Sequence, residues 1–66
     1  MSVEVAREVL GVGDRGEVSL FTFQDNKIVG GAVTHVLRYQ VRMGAFTMHE
    51  TSSKAAAERT ARALVR

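Results

Sequence analysis

The segment from Ser52 to Arg66 limits the folds open to this chain more than any other stretch. At the roughly 100° rotation per residue of an α-helix, its small side chains fall on one side and its charges on the other. The inner side holds Ala56, Ala57, Thr60, Ala61 and Leu64, and the outer side holds Glu58, Arg59, Arg62 and Arg66. Because alanines allow a helix backbone to approach its support closely, the pattern predicts an amphipathic helix that covers a sheet.

The size and composition of the chain predict one small domain spanning residues 1–66. A chain of this length buries only about 60% of its unfolded surface, so we expect a thin core. The sequence contains no cysteine, which excludes disulfides and thiolate metal sites and fits a reducing compartment. No apolar run approaches the roughly 20 residues of a membrane span, and no signal-peptide pattern opens the chain. We therefore expect a cytoplasmic protein with no membrane partner.

The clearest strand pattern runs from Val33 to Met43, where apolar side chains alternate with polar ones. Gly44 and Ala45 follow, and glycine in the first position of a two-residue loop favours a type II′ hairpin. The predicted register pairs Met43 with Phe46, Val41 with Met48, Tyr39 with Glu50, Arg42 with Thr47, and Gln40 with His49. The predicted core comprises Tyr39, Val41, Met43, Phe46, Met48, Ala57, Ala61 and Leu64.

The middle of the chain carries weaker signals. Residues 17–23 (EVSLFTF) have the β-branched and aromatic composition of a strand. Asp25–Asn26 is a turn signal, after which residues 27–29 continue as a short strand. Gly30–Gly31 then predicts either a bulge or a mobile loop.

The first ten residues fit two readings. Val3, Ala6 and Leu10 share a helical face, whereas Val3, Val5 and Val9 have strand spacing. Several good helix formers favour a short helix over residues 2–10, followed by a glycine-rich connector over residues 11–16. The predicted fold class is therefore α+β, with a three-stranded antiparallel sheet, a C-terminal helix packed on one face and a short N-terminal helix (α-β-β-β-α).

This order and several residues resemble the double-stranded RNA-binding domain. In that family a glycine-containing loop precedes a histidine, and an aromatic residue four positions later begins an alternating strand. Here Gly30–Gly31 precede His35, and Tyr39 follows four residues later. The family's last helix opens with a serine and lysines, followed by alanines that pack on the sheet, as do Ser53, Lys54 and the alanines that follow. The resemblance covers about residues 30–66.

The resemblance implies a duplex-RNA site formed by His35, Ser53 and Lys54. Arg59 and Arg62 add cations that can reach phosphates, because a helix N-terminus with cationic neighbours attracts anions. An ion pair between Glu58 and Arg62 on a solvated helix face explains the two arginines equally well. The chain also departs from the family: no proline precedes the histidine, Lys54 is the one lysine kept of three, and the loop between the last strands is short.

The charge distribution leaves two partners open. Residues 1–26 carry a net charge of −3 and residues 27–66 a net charge of +5. This asymmetry fits an acidic partner, and it fits equally well a solvated surface whose two halves complement each other within the molecule. A second basic surface, made of Arg38, Arg42, Gln40 and His49, is predicted on the uncovered sheet face. The partner is therefore duplex RNA or, alternatively, an acidic protein bound by a non-enzymatic adaptor.

Catalytic and metal-binding patterns are missing from the sequence. The two histidines, His35 and His49, have opposite strand parity and do not converge. No cysteine nucleophile is present, and no serine has a recognisable base beside it. We therefore expect no enzyme activity, cofactor or metal. Because a thin core and a free sheet edge favour pairing with another chain, we expect a homodimer.

Overall fold

A computed structural model describes residues 2–66 as a four-stranded antiparallel sheet followed by one helix. Each strand pairs with the next one along the chain, so the sheet is a simple meander. The elements are β1 (Ser2–Gly13), β2 (Gly16–Val29), β3 (Ala32–Met43), β4 (Phe46–Thr51) and α1 (Lys54–Leu64). We call the face that α1 covers the helix side and the other face the open side.

The predicted α-β-β-β-α order is wrong at the N-terminus, because residues 2–10 belong to β1 and the sheet has four strands. Arg7 lies opposite Phe21 and Val9 opposite Ser19. A helix of nine residues is marginal in water, whereas β2 offers a complete partner strand. Pairing with β2 therefore outweighs the helix propensity of this segment. The glycine-rich connector also shrinks, because β1 continues to Gly13 and β2 begins at Gly16.

The hairpin of β2 and β3 is longer than predicted. The Asp25–Asn26 turn does not form, because β2 runs on to Val29 and pairs regularly with β3 throughout. The chain reverses at Gly30–Gly31, with φ angles of 58° and 83°. Positive φ at both central residues defines a type I′ turn, whose twist matches the two strands. These glycines form a tight two-residue turn, so the predicted bulge is wrong.

The hairpin of β3 and β4 confirms the predicted loop and part of the register. Gly44 has a φ of 59°, and Ala45 has no positive φ, as a type II′ turn requires. Met43 pairs with Phe46 and Arg42 with Thr47, as predicted. A register shift between Val41 and Arg42 then inserts one extra residue. The other three predicted pairs are wrong: Val41 faces His49, Gln40 faces Glu50, and Tyr39 faces Thr51.

The core lies between α1 and one end of the helix side. It consists of Val18, Leu20, Tyr39, Val41, Met43, Ala57 and Ala61, with Leu10, Leu64 and Val65 packed around it. Phe46 and Met48 were predicted in this core, but they are 51% and 43% exposed. Sequence reasoning missed Val18 and Leu20, which β2 supplies. The buried side chains under the helix therefore come from the two central strands, and β4 contacts the helix without adding a buried apolar residue.

Two glycines of β1 make room for the end of the chain. A Cβ atom at Gly11 would lie 2.6 Å from a methyl carbon of Val65. A Cβ atom at Gly13 would lie 2.6 Å from both the Leu64 carbonyl oxygen and the Met43 sulfur. The Arg66 amide donates to the Val12 carbonyl at 2.9 Å, and its guanidinium pairs with Asp14 at 2.7 Å. The residues after α1 are thereby fastened across β1.

The opposite end of the sheet is uncovered and narrow. β1 pairs with β2 up to Asp25, and β4 pairs with β3 only from Tyr39 onward. Residues 26–35 therefore project as a two-stranded ribbon, which we call the arm, from a molecule measuring 46 × 19 × 15 Å. Among residues 2–66, no helix has the length and apolar character needed to cross a membrane.

Leu20→Ala should destabilise the fold strongly, because Leu20 is 4% exposed and its truncation leaves a cavity between sheet and helix. The expected loss in the free energy of unfolding is about 2–5 kcal/mol, measured by urea denaturation followed by circular dichroism. Met48→Ala is the matched control and should cost less than about 1 kcal/mol, since Met48 lies outside the core. Equal losses for the two variants would show that the core is misplaced.

Candidate functional site

The start of α1 is built as the sequence predicts. Ser53 is the N-cap residue, and its hydroxyl accepts a hydrogen bond from the Ala56 amide at 3.2 Å. The Ser53 amide in turn donates to the Thr51 hydroxyl at 3.1 Å. Lys54 follows as the first helical residue, with no acidic residue in the first turn. The helix begins at a well-capped end that carries a cation.

Lys54, Arg59 and Arg62 are exposed on α1, and we call them the cationic ridge. Within residues 2–66, none of the three has a carboxylate oxygen within 4.0 Å. The ion pair between Glu58 and Arg62 that would have neutralised part of the ridge is therefore not formed. At about 1.5 Å rise per residue, the ridge extends along about 12 Å of the helix axis.

His35 lies on the arm, on the helix side of the sheet. Its Nδ1 is 2.9 Å from the Gln24 side-chain nitrogen and 2.6 Å from the Asn26 side-chain oxygen. Because Nδ1 either donates or accepts in a given tautomer, only one of these contacts is a hydrogen bond at a time. His35 is four residues from Tyr39, which faces Thr51 just before the helix. Four residues of β3 span about 13 Å, so His35 lies on the same face as Ser53 and Lys54 but about that far along β3 from the strand position beside which α1 begins.

The open side carries two phenylalanines that sequence reasoning did not place. Phe21 and Phe23 of β2 lie 6.3 Å apart with nearly parallel rings. The Arg42 guanidinium sits 4.2 Å from the Phe21 ring centre, and Arg38 sits 5.3 Å from that of Phe23. Arg7 covers Phe21 from β1 at 5.3 Å. Cation–π contacts of this kind shield the rings from water.

The predicted second basic surface is only partly present on this face. Arg38, Gln40 and Arg42 do lie there, but the register shift places His49 opposite Val41, on the helix side. The open side carries equal numbers of cations and acids. The cations are Arg7, Lys27, Arg38 and Arg42, and the acids are Glu4, Glu17, Asp25 and Glu50. The face has no excess positive charge.

Arg38 is the centre of the polar network on the open side. Its guanidinium contacts Asp25 at 3.3 Å and Glu50 at 2.8 Å. A hydrogen bond from the Ser2 hydroxyl, assisted by Arg38, lowers the pKa of Asp25. Hydrogen bonds from Gln40 and then Arg38 lower the pKa of Glu50, and the Glu50 contact chiefly raises the pKa of Arg38. These shifts arise from pairing at a half-exposed surface and stabilise the sheet.

A pocket of about 280 Å³ opens beside this network, where β4 ends. It is lined by Asp25, Lys27, Val36, Leu37, Arg38, Glu50, Thr51 and Ser52. Within residues 2–66, no group of three histidine, cysteine or acidic side chains converges to hold a metal ion. Three of its charged groups, Asp25, Arg38 and Glu50, are engaged with one another.

In comparisons with known protein families, curated proteins and solved structures, the chain matches none. The resemblance to the double-stranded RNA-binding domain therefore stays a prediction that rests on residues 30–66. The N-terminal helix, which is part of that family's fold, is replaced here by a strand.

Stability should fall on acidification because of the Arg38 network. The pKa values of Asp25 and Glu50 are lowered in the folded state, so their contribution is present above the unfolded carboxyl pKa of about 4. It is lost as the pH falls through the lowered folded values. The urea midpoint should therefore drop between about pH 5 and pH 2. The double variant Asp25→Asn with Glu50→Gln should show a shallower drop than the parent protein. Glu8→Gln, which lies outside the network, should show the same drop as the parent. Identical curves for the parent and both variants would contradict this account.

Proposed function

We propose that the protein is a small, non-enzymatic nucleic-acid-binding module that holds duplex RNA through phosphate contacts from the cationic ridge. The observation that supports this most directly is the exposure of Lys54, Arg59 and Arg62 without acidic partners. Phosphate contacts supply most of the affinity in sequence-independent binding, and unpaired surface cations are the groups that make them. In the cytoplasm, where we place the protein, duplex RNA is an accessible partner.

The ridge is the better candidate surface because it groups three cations without acidic partners, whereas most cations elsewhere are engaged. Within residues 2–66, Arg15 and Lys27 also lack a carboxylate within 4.0 Å, but they lie singly at opposite ends of the sheet. Arg7 pairs with Glu17, Arg38 with Asp25 and Glu50, and Arg66 with Asp14. Arg42 donates twice to Gln40 and lies on Phe21. A phosphate binding to any of these would have to break an existing contact. At the ridge it would only displace water.

The aromatic groups favour a duplex over a single strand. Single-stranded RNA is usually held by bases stacked on exposed aromatic rings. Phe21 is only 9% exposed and is covered by two arginines, and Tyr39 is buried in the core. Phe46 is 51% exposed, but it is a single ring with the Arg15 guanidinium 5.3 Å from its centre. A duplex needs no such stacking, since it is recognised through backbone and shape. The choice of RNA over DNA rests on the family resemblance, in which His35 reaches a neighbouring minor groove.

The proposal is tested by fluorescence anisotropy with labelled duplex RNA, duplex DNA and single-stranded RNA at several salt concentrations. Arg59→Gln should weaken duplex RNA binding and flatten the slope of log affinity against log salt by about one unit. Arg7→Gln is the matched control, because it removes the same charge from an exposed arginine on the open side. It should leave both affinity and slope nearly unchanged.

Two results would overturn the proposal. Equal losses for Arg59→Gln and Arg7→Gln would mean that only net charge matters and that the ridge is not a site. Absence of binding by the parent protein, at low salt and tens of micromolar, would remove the nucleic-acid function. The second candidate, an adaptor that binds a protein, would then remain. It is favoured by the apolar arm, where Ile28, Val29 and Val33 are 79%, 63% and 63% exposed.

A further inference from the structure

The strand edges of this sheet are protected unequally. β1, at one edge, is interrupted by register shifts between Glu4 and Ala6 and between Val9 and Gly11. β4, at the other edge, is a short strand with one shift of its own. Bulges and short edge strands are the usual devices that stop sheets from pairing edge to edge. Both outer strands therefore discourage pairing.

One edge lacks these devices: residues 32–38 of β3, which we call the free edge. β4 reaches β3 only at Tyr39, and β3 shows no shift against β2 along its whole length. The sequence AVTHVL carries no Lys, Arg, Asp or Glu before Arg38. The opposite edge of the arm, formed by β2, does carry Lys27. A regular, uncharged and partly apolar edge is the kind that pairs with another strand.

The backbone of the free edge has hydrogen-bonding groups to offer. The Gly44 amide donates to the Glu17 carbonyl at 3.0 Å, which fixes the alternation of the ladder between β2 and β3. Counting back from Gly44, the even-numbered residues of β3 turn their amide and carbonyl groups towards β2. Val33, His35 and Leu37 are the intervening residues, so their backbone groups point outward. An added strand would find donors and acceptors in register.

We propose that the free edge pairs antiparallel with the same edge of a second copy, giving a symmetric dimer. Isolated two-stranded ribbons are marginally stable in water, so pairing would also support the arm. The partner is a second copy because the segment is self-complementary and because the molecule contains a recess that fits its own turn. This inference does not depend on RNA binding.

The position of the two-fold axis follows from where β4 ends. If the pairing were centred on His35, Ala32 would lie opposite the partner's Arg38. The next position along the partner's β3 is already occupied by the partner's Thr51, only about 3.3 Å away, so the Gly30–Gly31 turn would have no room. Centring it on Thr34 pairs Val33 with the partner's His35 and Ala32 with the partner's Val36. About 10 Å then remains before the partner's Thr51, which accommodates the Gly30–Gly31 turn.

The pocket beside β4 receives that turn. It is lined by Leu37, Arg38, Thr51 and Ser52, which border the space between the free edge and the end of β4. Glycines have no side chains and fit a recess of about 280 Å³ without displacing the Arg38 network. The cross-strand neighbours are Ala with Val, Val with His and Thr with Thr, so no like charges meet.

A cysteine at the two-fold axis tests the register directly. In non-hydrogen-bonded antiparallel pairs the Cα atoms are about 4.5 Å apart, within disulfide range. The chain has no cysteine of its own, so Thr34→Cys should yield one covalent dimer on mild oxidation. Thr47→Cys is the control, because Thr47 is an exposed strand threonine on the same face but outside the proposed interface. It should cross-link much more slowly.

Sedimentation velocity on the unmodified protein supplies the second test. A concentration-dependent dimer should form in the micromolar range, and Thr34→Glu should weaken it about fivefold, because like charges would face each other. Thr47→Glu should leave it unchanged, with circular dichroism confirming that both variants fold. Monomers at every concentration, or equal cross-linking of the two cysteine variants, would overturn the proposal. RNA binding is measured separately through Arg59, so one proposal can fail without the other.

Discussion

The contact between α1 and the central strands is the interaction on which the rest of the structure depends. Ala57 and Ala61 are fully buried against side chains of β2 and β3, and Val18 and Val41 are equally inaccessible. With small residues on the helix, its backbone lies close to the sheet, which suits a chain too short to build a second layer on both faces. The hydrophobic core is therefore confined to one end of one face of the sheet.

On the open side, arginine side chains shield the aromatic rings from water. No element covers Phe21 and Phe23, so arginines from the flanking strands β1 and β3 lie over the rings. Acids of β2 and β4 pair with two of these arginines, Arg7 and Arg38. The long aliphatic stems of arginine add apolar cover to this arrangement. This use of the cations explains why the open side is not a basic surface. Within residues 2–66, it leaves the ridge on α1 as the surface that groups three cations without acidic partners.

Sequence reasoning predicted the elements that local patterns determine. α1 with its Ser53 cap and the hairpin at Gly44 were both recovered, because capping and turn chemistry are short-range. Residues 2–10 were assigned to a helix because their strand character depends on β2, which is distant in sequence. The extra residue opposite Val41 moved His49 and Met48 out of their predicted places, and no composition signal marks such a bulge. The alternation of Phe21 and Phe23 was visible and could have revealed the aromatic face.

At the candidate site, residue types could be predicted and their surroundings could not. The exposure of Lys54, Arg59 and Arg62 follows from helical periodicity, whereas their lack of acidic partners is a property of the packed molecule. The two proposed surfaces also fit together. Antiparallel pairing within one sheet has its two-fold axis perpendicular to that sheet, so a dimer would present both ridges on one face.

The central claim is that β3 has two roles: residues 39–43 belong to the core, and the free edge, residues 32–38, forms the proposed dimer interface. Amide hydrogen exchange, followed by NMR at low and high protein concentration, tests it residue by residue. The amides of Thr34 and Val36 face β2 and should be protected equally at both concentrations. Those of Val33 and His35 face outward and should gain protection only at high concentration. Fast exchange of Val33 and His35 at every concentration would contradict the account.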